Sequence, residues 1–585
     1  MKGLRSRRGW LAGVVAVALV AAACGGDDDS GDGDVTGGDT TDAPDTTDAP
    51  DSPDTTDAPD SPDATDAPDS PDSTDAPDTT DEPDAMTPVR GGTISYLLEA
   101  ESDTWDIPGA NCAVSCITVM RAATDPLTIV NDQGEVEPFL LESIDWNDDF
   151  TEFTLKMRDG ITFQDGTPAD GAAVKRNLDE MKAGVLQGQV LIDMTGNELV
   201  DPMTVKVTFS QPFSSFPEAI AERTGYLIAP SFWDNPDRSS AFIVGTGAFT
   251  MTEWTRGEQT VLTANPNYWR TDANGEQLPY LDEVVFRPVP DVSTRRATME
   301  SGDADVNMDS FGENLEFWRT DWVDDGNGSV VPAPARETTY LLINNESPPF
   351  DNPDMRRALA LCTDRDEYLA FRAPGNAIAN GPFAEGSLGY LEDPGFPGFD
   401  ADAGNALLDQ IGRPAEIVYG TTNVPSNLLT AELFADMWST NCGLTVNIDQ
   451  FDQSELITKA ITGAFQVFLW RNHGQGNPAL ENIWWNSRFT TGIALNFGRI
   501  REPDLDALLA EAQSTRDAAE LDRIAQDISK SFAEHVNNLW LNVTEWENVF
   551  QGNVHGVGVL SLPSGNKGQT AIAGRTWVTE AWKEG

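Results

Sequence analysis

Trp470, Arg471, Asn472 and His473 stand side by side and bring four kinds of contact to one place. The indole offers an apolar face and the guanidinium a planar fork matched to a carboxylate. The amide and imidazole add donors and acceptors that fix orientation. This set suits holding a small polar molecule, with aromatic surface for affinity and a few polar groups for specificity. Metal chemistry fits poorly, because the chain has three histidines, His473, His535 and His555, far apart in sequence; no metal or other cofactor is expected. Catalysis has no better footing. The G-x-S-x-G, H-E-x-x-H and G-x-x-x-x-G-K patterns do not occur. With 96 acids in the chain, paired carboxylates of the glycosidase kind arise by chance and carry no information. The chain therefore reads as a binding protein, with a secreted glycosidase as the weak rival.

The elements around this segment should form a parallel α/β sheet. Glu416 to Gly420 is a short strand, and Leu429, Leu433 and Met437 stripe a helix ending by Gly443. Leu444, Val446 and Ile448 alternate as a strand. A helix over Ser454 to Thr462 leads into the strand Phe465 to Trp470. A β-α-β-α-β order implies parallel strands with helices on the faces, and ligands of such sheets lie beyond the carboxyl ends of the strands. That is where Trp470 to His473 fall. Earlier, Phe153, Leu155 and Met157 alternate with polar residues as a half-buried strand, which Asp159-Gly160 should turn into a second one. Thr167 is a fitting N-cap for a helix with Pro168 at its first position and Val174, Leu178 and Met181 on one face. MTVKVTF reads as another strand, and Phe249 to Asn265 as a hairpin turning near Arg256-Gly257.

The N-terminus speaks to location. Lys2, Arg5, Arg7 and Arg8 precede a short apolar run, Trp10 to Ala23, too brief to span a bilayer. Residues 1–23 read as a signal peptide; SRRGWL also resembles a twin-arginine signal. Small residues ahead of Cys24 resemble a lipobox, which would make that cysteine the lipid attachment point. From Asp39 to Asp84 an aspartate falls at every third position among Pro, Thr, Ser and Ala. Nothing there can offset the entropy of ordering, so residues 24–87 should form a disordered, extended tether. The 22 acids from Asp27 to Asp84 do not exhaust the formal charge of −59, so the remainder is strongly acidic too. No nucleic-acid partner is expected on that ground, and membrane contact should be through the lipid alone. Sixteen Trp and 26 Phe supply ample core for two or three lobes. Four cysteines remain beyond Cys24, an even number in an exported chain, which favours disulfides; three pairings are open.

FLLESIDWNDDFTEFTLKMRDGITFQDGTPADGAAV, GTGAFTMTEWTRGEQTVLTANPNYW, LPYLDEVVFRPVPDVSTRRATMESGDADV and YLLINNESPPFDNPDMRRALALCTDRDE closely resemble, in order, segments of the peptide/nickel family of extracellular solute-binding proteins of ABC transporters. The resemblance implies a periplasmic-binding-protein-like two-lobe flytrap of α/β class with an extra subdomain in the first lobe. Carried onto this chain, lobe I comprises 88–130, 245–336 and 556–585, the extra subdomain 131–244, and lobe II 337–555. The crossings fall at YLLINN and NVHGVGV. Pairing Cys112 with Cys116 and Cys362 with Cys442 keeps each bridge inside one lobe.

The resemblance also aligns Trp470, Arg471, Asn472 and His473 with the family's binding segment. From lobe I, Trp105 and the backbone at Gly245 and Gly247 should face them, and Glu101 is a candidate acid for a cationic ligand group. Two departures bear on the ligand. Peptide-binding members carry an aspartate shortly after the tryptophan, for the peptide's α-amino group, whereas here the first acid after Trp470 is Glu481. Nickel-binding members place a histidine after Asp-Pro, whereas Asn477-Pro478 is followed by Ala479. The expected function is that of a monomeric, lipid-anchored protein on the outer face of the bacterial cytoplasmic membrane. It would capture a small solute, by family default a peptide, and deliver it to an ABC permease with its ATPase. The alternative is a sensory or signal-peptide receptor with no transport role.

Overall fold

The structure is a computed structural model that describes residues 86–111, 114–333, 337–473 and 476–585, excepting the side chains of Asn472, His473, Ala571 and Ile572. The signal run, Cys24, nearly all of the tether and Cys112 lie outside the described residues. None of the described helices is long and apolar enough to cross a membrane.

Two mixed sheets carry the fold. The first has seven strands, in the order Gly328–Pro332, Glu547–Gln551, Val306–Asp309, Thr93–Leu98, Glu283–Pro288, Gln259–Ala264 and Phe249–Thr255. Its middle strand Thr93–Leu98 runs parallel to both neighbours. The second sheet has five, in the order Val446–Phe451, Ile417–Thr422, Val467–His473, Glu337–Ile343 and Asn538–Thr544. Ile417–Thr422 is parallel to the strands on either side, as the β-α-β-α-β order requires. The two strands nearest its other edge pair antiparallel. Every residue of Glu337–Ile343 is buried, as expected of a strand covered on both faces. A separate four-stranded antiparallel sheet, Leu141–Trp146, Glu152–Met157, Thr204–Phe209 and Met194–Asp201, falls inside the interval 131–244.

Strand membership moves both expected crossings. YLLINN lies largely within the buried strand Glu337–Ile343, so the first passage between sheets falls between Pro332 and Glu337. The strand Glu547–Gln551 pairs with Val306–Asp309 and Gly328–Pro332 of the seven-stranded sheet. The return therefore occurs at Glu545–Trp546, between Asn538–Thr544 and Glu547–Gln551, and not at NVHGVGV. Periodicity could not reveal this, because adjacent buried strands read alike whichever sheet receives them.

Local deviations have local causes. Thr167 does not cap a helix: its backbone N–H and hydroxyl both donate to Asp165. The helix begins at Gly171, and Asp170 caps it by accepting from the Ala173 N–H at 3.0 Å. A side chain that satisfies the backbone in a turn competes with helix nucleation, and here the turn wins. Beyond Asp159-Gly160 only an isolated bridge forms, Thr162 with Pro168, in place of a second strand. In the helix Pro425–Cys442 the inward face is Thr430, Ala431, Phe434, Met437 and Trp438, and Leu429 is exposed. Gly443 ends that helix in the left-handed conformation.

Cys362 and Cys442 form a disulfide between two buried side chains. Gly404, in the helix Ala401–Ile411, lies against it, and a β-carbon there would stand 2.8 Å from Cys362 Sγ. Only a residue without a side chain lets this helix pack so closely. Cys116 is also disulfide-bonded.

Candidate ligand-binding site

A cavity of about 610 Å³ lies between the two sheets, within the range of small-molecule sites. Residues at or just past the ends of parallel strands line it: Glu99, Ser310, Thr421, Thr422, Trp470 and Arg471. Successive side chains of a regular strand face opposite ways. Trp470 and Arg471 both reach the cavity beside a register shift at Thr338/Thr339, where Thr338 pairs with His473 and Thr339 with Arg471. A bulge of this kind re-aims a side chain at the end of a ladder. Trp470 meets Phe497 edge-on, and Phe497 meets Trp484 likewise, so one wall is aromatic.

Arg471 spans the two sheets. Its Nη2 donates to both carboxylate oxygens of Glu99 at 2.7 and 2.8 Å, and its Nη1 donates to Ser310 Oγ at 2.6 Å. The guanidinium lies over the Trp546 ring, 4.4 Å from its centroid. Trp546 in turn donates its indole N–H to Glu337. Burial works against the Glu99 carboxylate, but Arg471 and then Arg295 outweigh it and hold the carboxyl below its ordinary value. Burial likewise opposes the Arg471 charge, and Glu99 and Glu337 more than restore it. Glu337 behaves in the opposite way, since burial dominates and pushes its carboxyl upward.

Other acids on the wall are engaged. Glu218 receives both Nη atoms of Arg516, Asp193 accepts from Arg488, and Glu222 pairs with Arg121 and Arg575. Asp309 accepts from the Phe311 N–H, Asn314 and Trp318. Arg223 donates to the carbonyls of Ile107 and Ala110, and burial brings its guanidinium down to about 10.

Of the expected site residues, Trp470 and Arg471 line the cavity, and Asn472 and His473 follow in the same strand with side chains outside the description. The first-lobe choices lie elsewhere. Trp105 is buried against Trp254, with ring centroids 5.5 Å apart. Glu101 accepts from the Trp254 indole and the Gly257 N–H, pinning the hairpin Phe249–Ala264. Of the two acids just after Leu98, Glu99 lines the cavity and Glu101 does not. Gly245 and Gly247 do permit a close approach, but to the chain and not to a ligand. A β-carbon on Gly247 would sit 2.5 Å from the backbone of Ala123 and Thr124. Gly247→Ala is therefore expected to lower stability by ~1–3 kcal/mol, the usual range for overpacking, with solute affinity unchanged at a temperature where the variant is folded. Thermal melting and calorimetry of the same preparation check both halves.

Sequence reasoning missed Glu99, Arg295 and Arg372. Arg372 ends the helix Arg365–Arg372, where a cation is already expected for the helix dipole. Nothing in its spacing marks it as facing a cavity.

Two α/β lobes with a third sheet inserted, and a lined cavity at the carboxyl ends of the parallel strands, define a binding protein of the flytrap class. The profile of bacterial extracellular solute-binding proteins, family 5, middle region, matches residues 135–493, and the chain belongs to that family. The family is one of substrate-binding proteins and not of enzymes. The glutathione-binding protein GsiB of Escherichia coli K12 is 27% identical over 419 residues, covering 68% of this chain and 79% of GsiB. Among solved structures, the binding protein AgaA with agropinic acid, from A. tumefaciens R10, superposes with a TM-score of 0.73 at 23% identity, covering 84% of this chain and 99% of AgaA. DppA of Helicobacter pylori with the peptide STSA gives 0.73 at 18% identity, covering 85% and 99%.

Proposed function

We propose that this solute-binding protein of an ABC importer captures a small peptide or peptide-like solute outside the cell, held to the membrane by lipid on Cys24 and spaced from it by the acidic tether. The observation that carries the reading is the cavity itself: about 610 Å³, lying between two sheets, with an aromatic wall at Trp470, Trp484 and Phe497 and charged groups set into it. Room for several residues of an extended peptide, and relatives that hold glutathione and a tetrapeptide, favour this solute class over a single metal ion. Glu481, the first acid after Trp470, is buried and lines the cavity, in keeping with a role beside a ligand ammonium. The permease and its ATPase are the partners of the loaded, closed form.

Calorimetry against peptides, glutathione, oligosaccharides and metal chelates tests the solute class; saturation by a sugar or chelate alone would overturn it. Trp470→Ala should weaken the best peptide by about tenfold through lost apolar contact. Cys24→Ser should appear in the medium and not in the membrane fraction. A Cys24→Ser protein that stays membrane-bound after export would contradict the anchor.

A further inference from the structure

Two guanidinium groups on the cavity wall, those of Arg295 and Arg372, form no ion pair among the described residues. Arg295 donates Nη1 to the carbonyls of Val289 and Pro290. Arg372 lies over the Phe311 ring, 4.4 Å from its centroid, and no carboxylate or carbonyl of the described residues accepts from it. The Nε of each is buried without a partner. The acids that act on them are bonded to other donors: both oxygens of Glu99 receive Arg471, both oxygens of Asp309 receive donors from Phe311, Asn314 and Trp318, and Asp291, which acts on Arg295, accepts from Ser293 and Thr294 at the start of its own helix. Burial draws the Arg372 pKa downward, as expected of a desolvated cation with incomplete compensation.

Arginine remains charged at any physiological pH, and a guanidinium resting on an aromatic face keeps its in-plane N–H edge for a planar, two-oxygen acceptor. Arg471 cannot serve here, because its fork is already filled by Glu99 and Ser310. We propose that Arg372, backed by Arg295, is the carboxylate anchor of the cavity, so that the solute carried is one with a free carboxylate docked beside Phe311. This deepens the reading above and rests on the cavity's being the solute site. It also reverses the assignment drawn from sequence: the arginine beside Trp470 joins the lobes, and the one that meets the solute comes from a helix end.

The experiment compares trialanine, trialanine amide and glutathione by calorimetry on the full mature chain and on R372Q and R372K. The parent is expected to bind trialanine about 30-fold more tightly than its amide, the loss usual for one member of a desolvated charge pair. R372Q should bind both peptides as the parent binds the amide. R372K, which keeps the charge and loses the fork, should fall between, and it carries the test if R372Q does not fold. Equal affinity of the parent for trialanine and its amide overturns the proposal, as does an R372Q protein that still prefers the free carboxylate. If the parent binds none of the three, the peptide reading fails, and the anchor is judged by melting in sodium acetate against sodium chloride of equal ionic strength. Stabilisation by acetate in the parent and not in R372Q upholds it; the same response in both, or none in either, overturns it.

Discussion

Arg471→Ala is expected to weaken solute binding by about 30-fold or more, whichever solute saturates the parent, because it breaks the link between the two sheets and leaves Glu99 desolvated without its partner. Truncating one member of a buried, hydrogen-bonded charge pair costs roughly 2–5 kcal/mol. With 26% of the Arg471 side chain and 21% of the Glu99 side chain accessible, the lower end applies. About 2 kcal/mol corresponds to the 30-fold loss. Glu99→Ala should behave alike, and the double variant should lose less than the two single losses together, the mark of a direct pair. Small-angle scattering should show the single variants more open at a given solute concentration.

The pH dependence has a definite sign. Glu99 is held below its ordinary carboxyl value in the closed protein. The pair's contribution is therefore complete above that ordinary value, about 4.3, and is lost as pH falls through the lower, closed-state value. Affinity should be level from neutrality down to that region and then drop. The Glu99→Gln variant should lack this component of the fall, and a parent affinity that declines already between pH 7 and 6 would point to another group.

Replacing Cys362 and Cys442 together by serine should produce the largest loss of stability. The bridge closes a loop with a sequence separation of 80, for which the chain-entropy account gives ~4.5 kcal/mol. Both sulfurs are buried, so two hydroxyls are also placed where cysteines pack well. Scanning calorimetry should show the unfolding transition that contains the five-stranded sheet shifting down by about 10 °C, taking a lobe of ordinary size. If the sheets unfold as separate units, only the transition of the five-stranded sheet should move, because the bridge ties two helices packed on that half.

The parallel half of the second sheet was legible because each of its elements repeats its own period and the connecting helices end on recognisable residues, such as Gly443. What escaped was set by contacts distant in sequence. Glu547–Gln551 has the pattern of any buried strand, and only its pairing with Val306–Asp309 assigns it to the other sheet. Glu99 and Glu101 are equally plausible acids after one strand, and the direction of the chain beyond Leu98 decides between them. Gly245 and Gly247 were expected to face the ligand, but what they approach is the chain at Ala123 and Thr124, a contact that sequence does not name. Arg372 has a sufficient local reason to exist, so its place on the cavity wall leaves no trace in the pattern.

A second set of contacts also joins the two halves. Ser214 donates its N–H to Gln513 and its hydroxyl to Ala512, Gln189 accepts from the Leu495 N–H and donates to the Ile493 carbonyl, and Glu218 and Asp193 hold Arg516 and Arg488. None of these bonds depends on what the solute is. They add to the cost of separating the two halves whatever the cavity holds, and Asp193, Glu218, Arg488, Leu495 and Gln513 line the cavity as well. Opening, and not recognition alone, is thus part of the cost of release, and a transporter that pries this seam apart works against the same bonds for every solute.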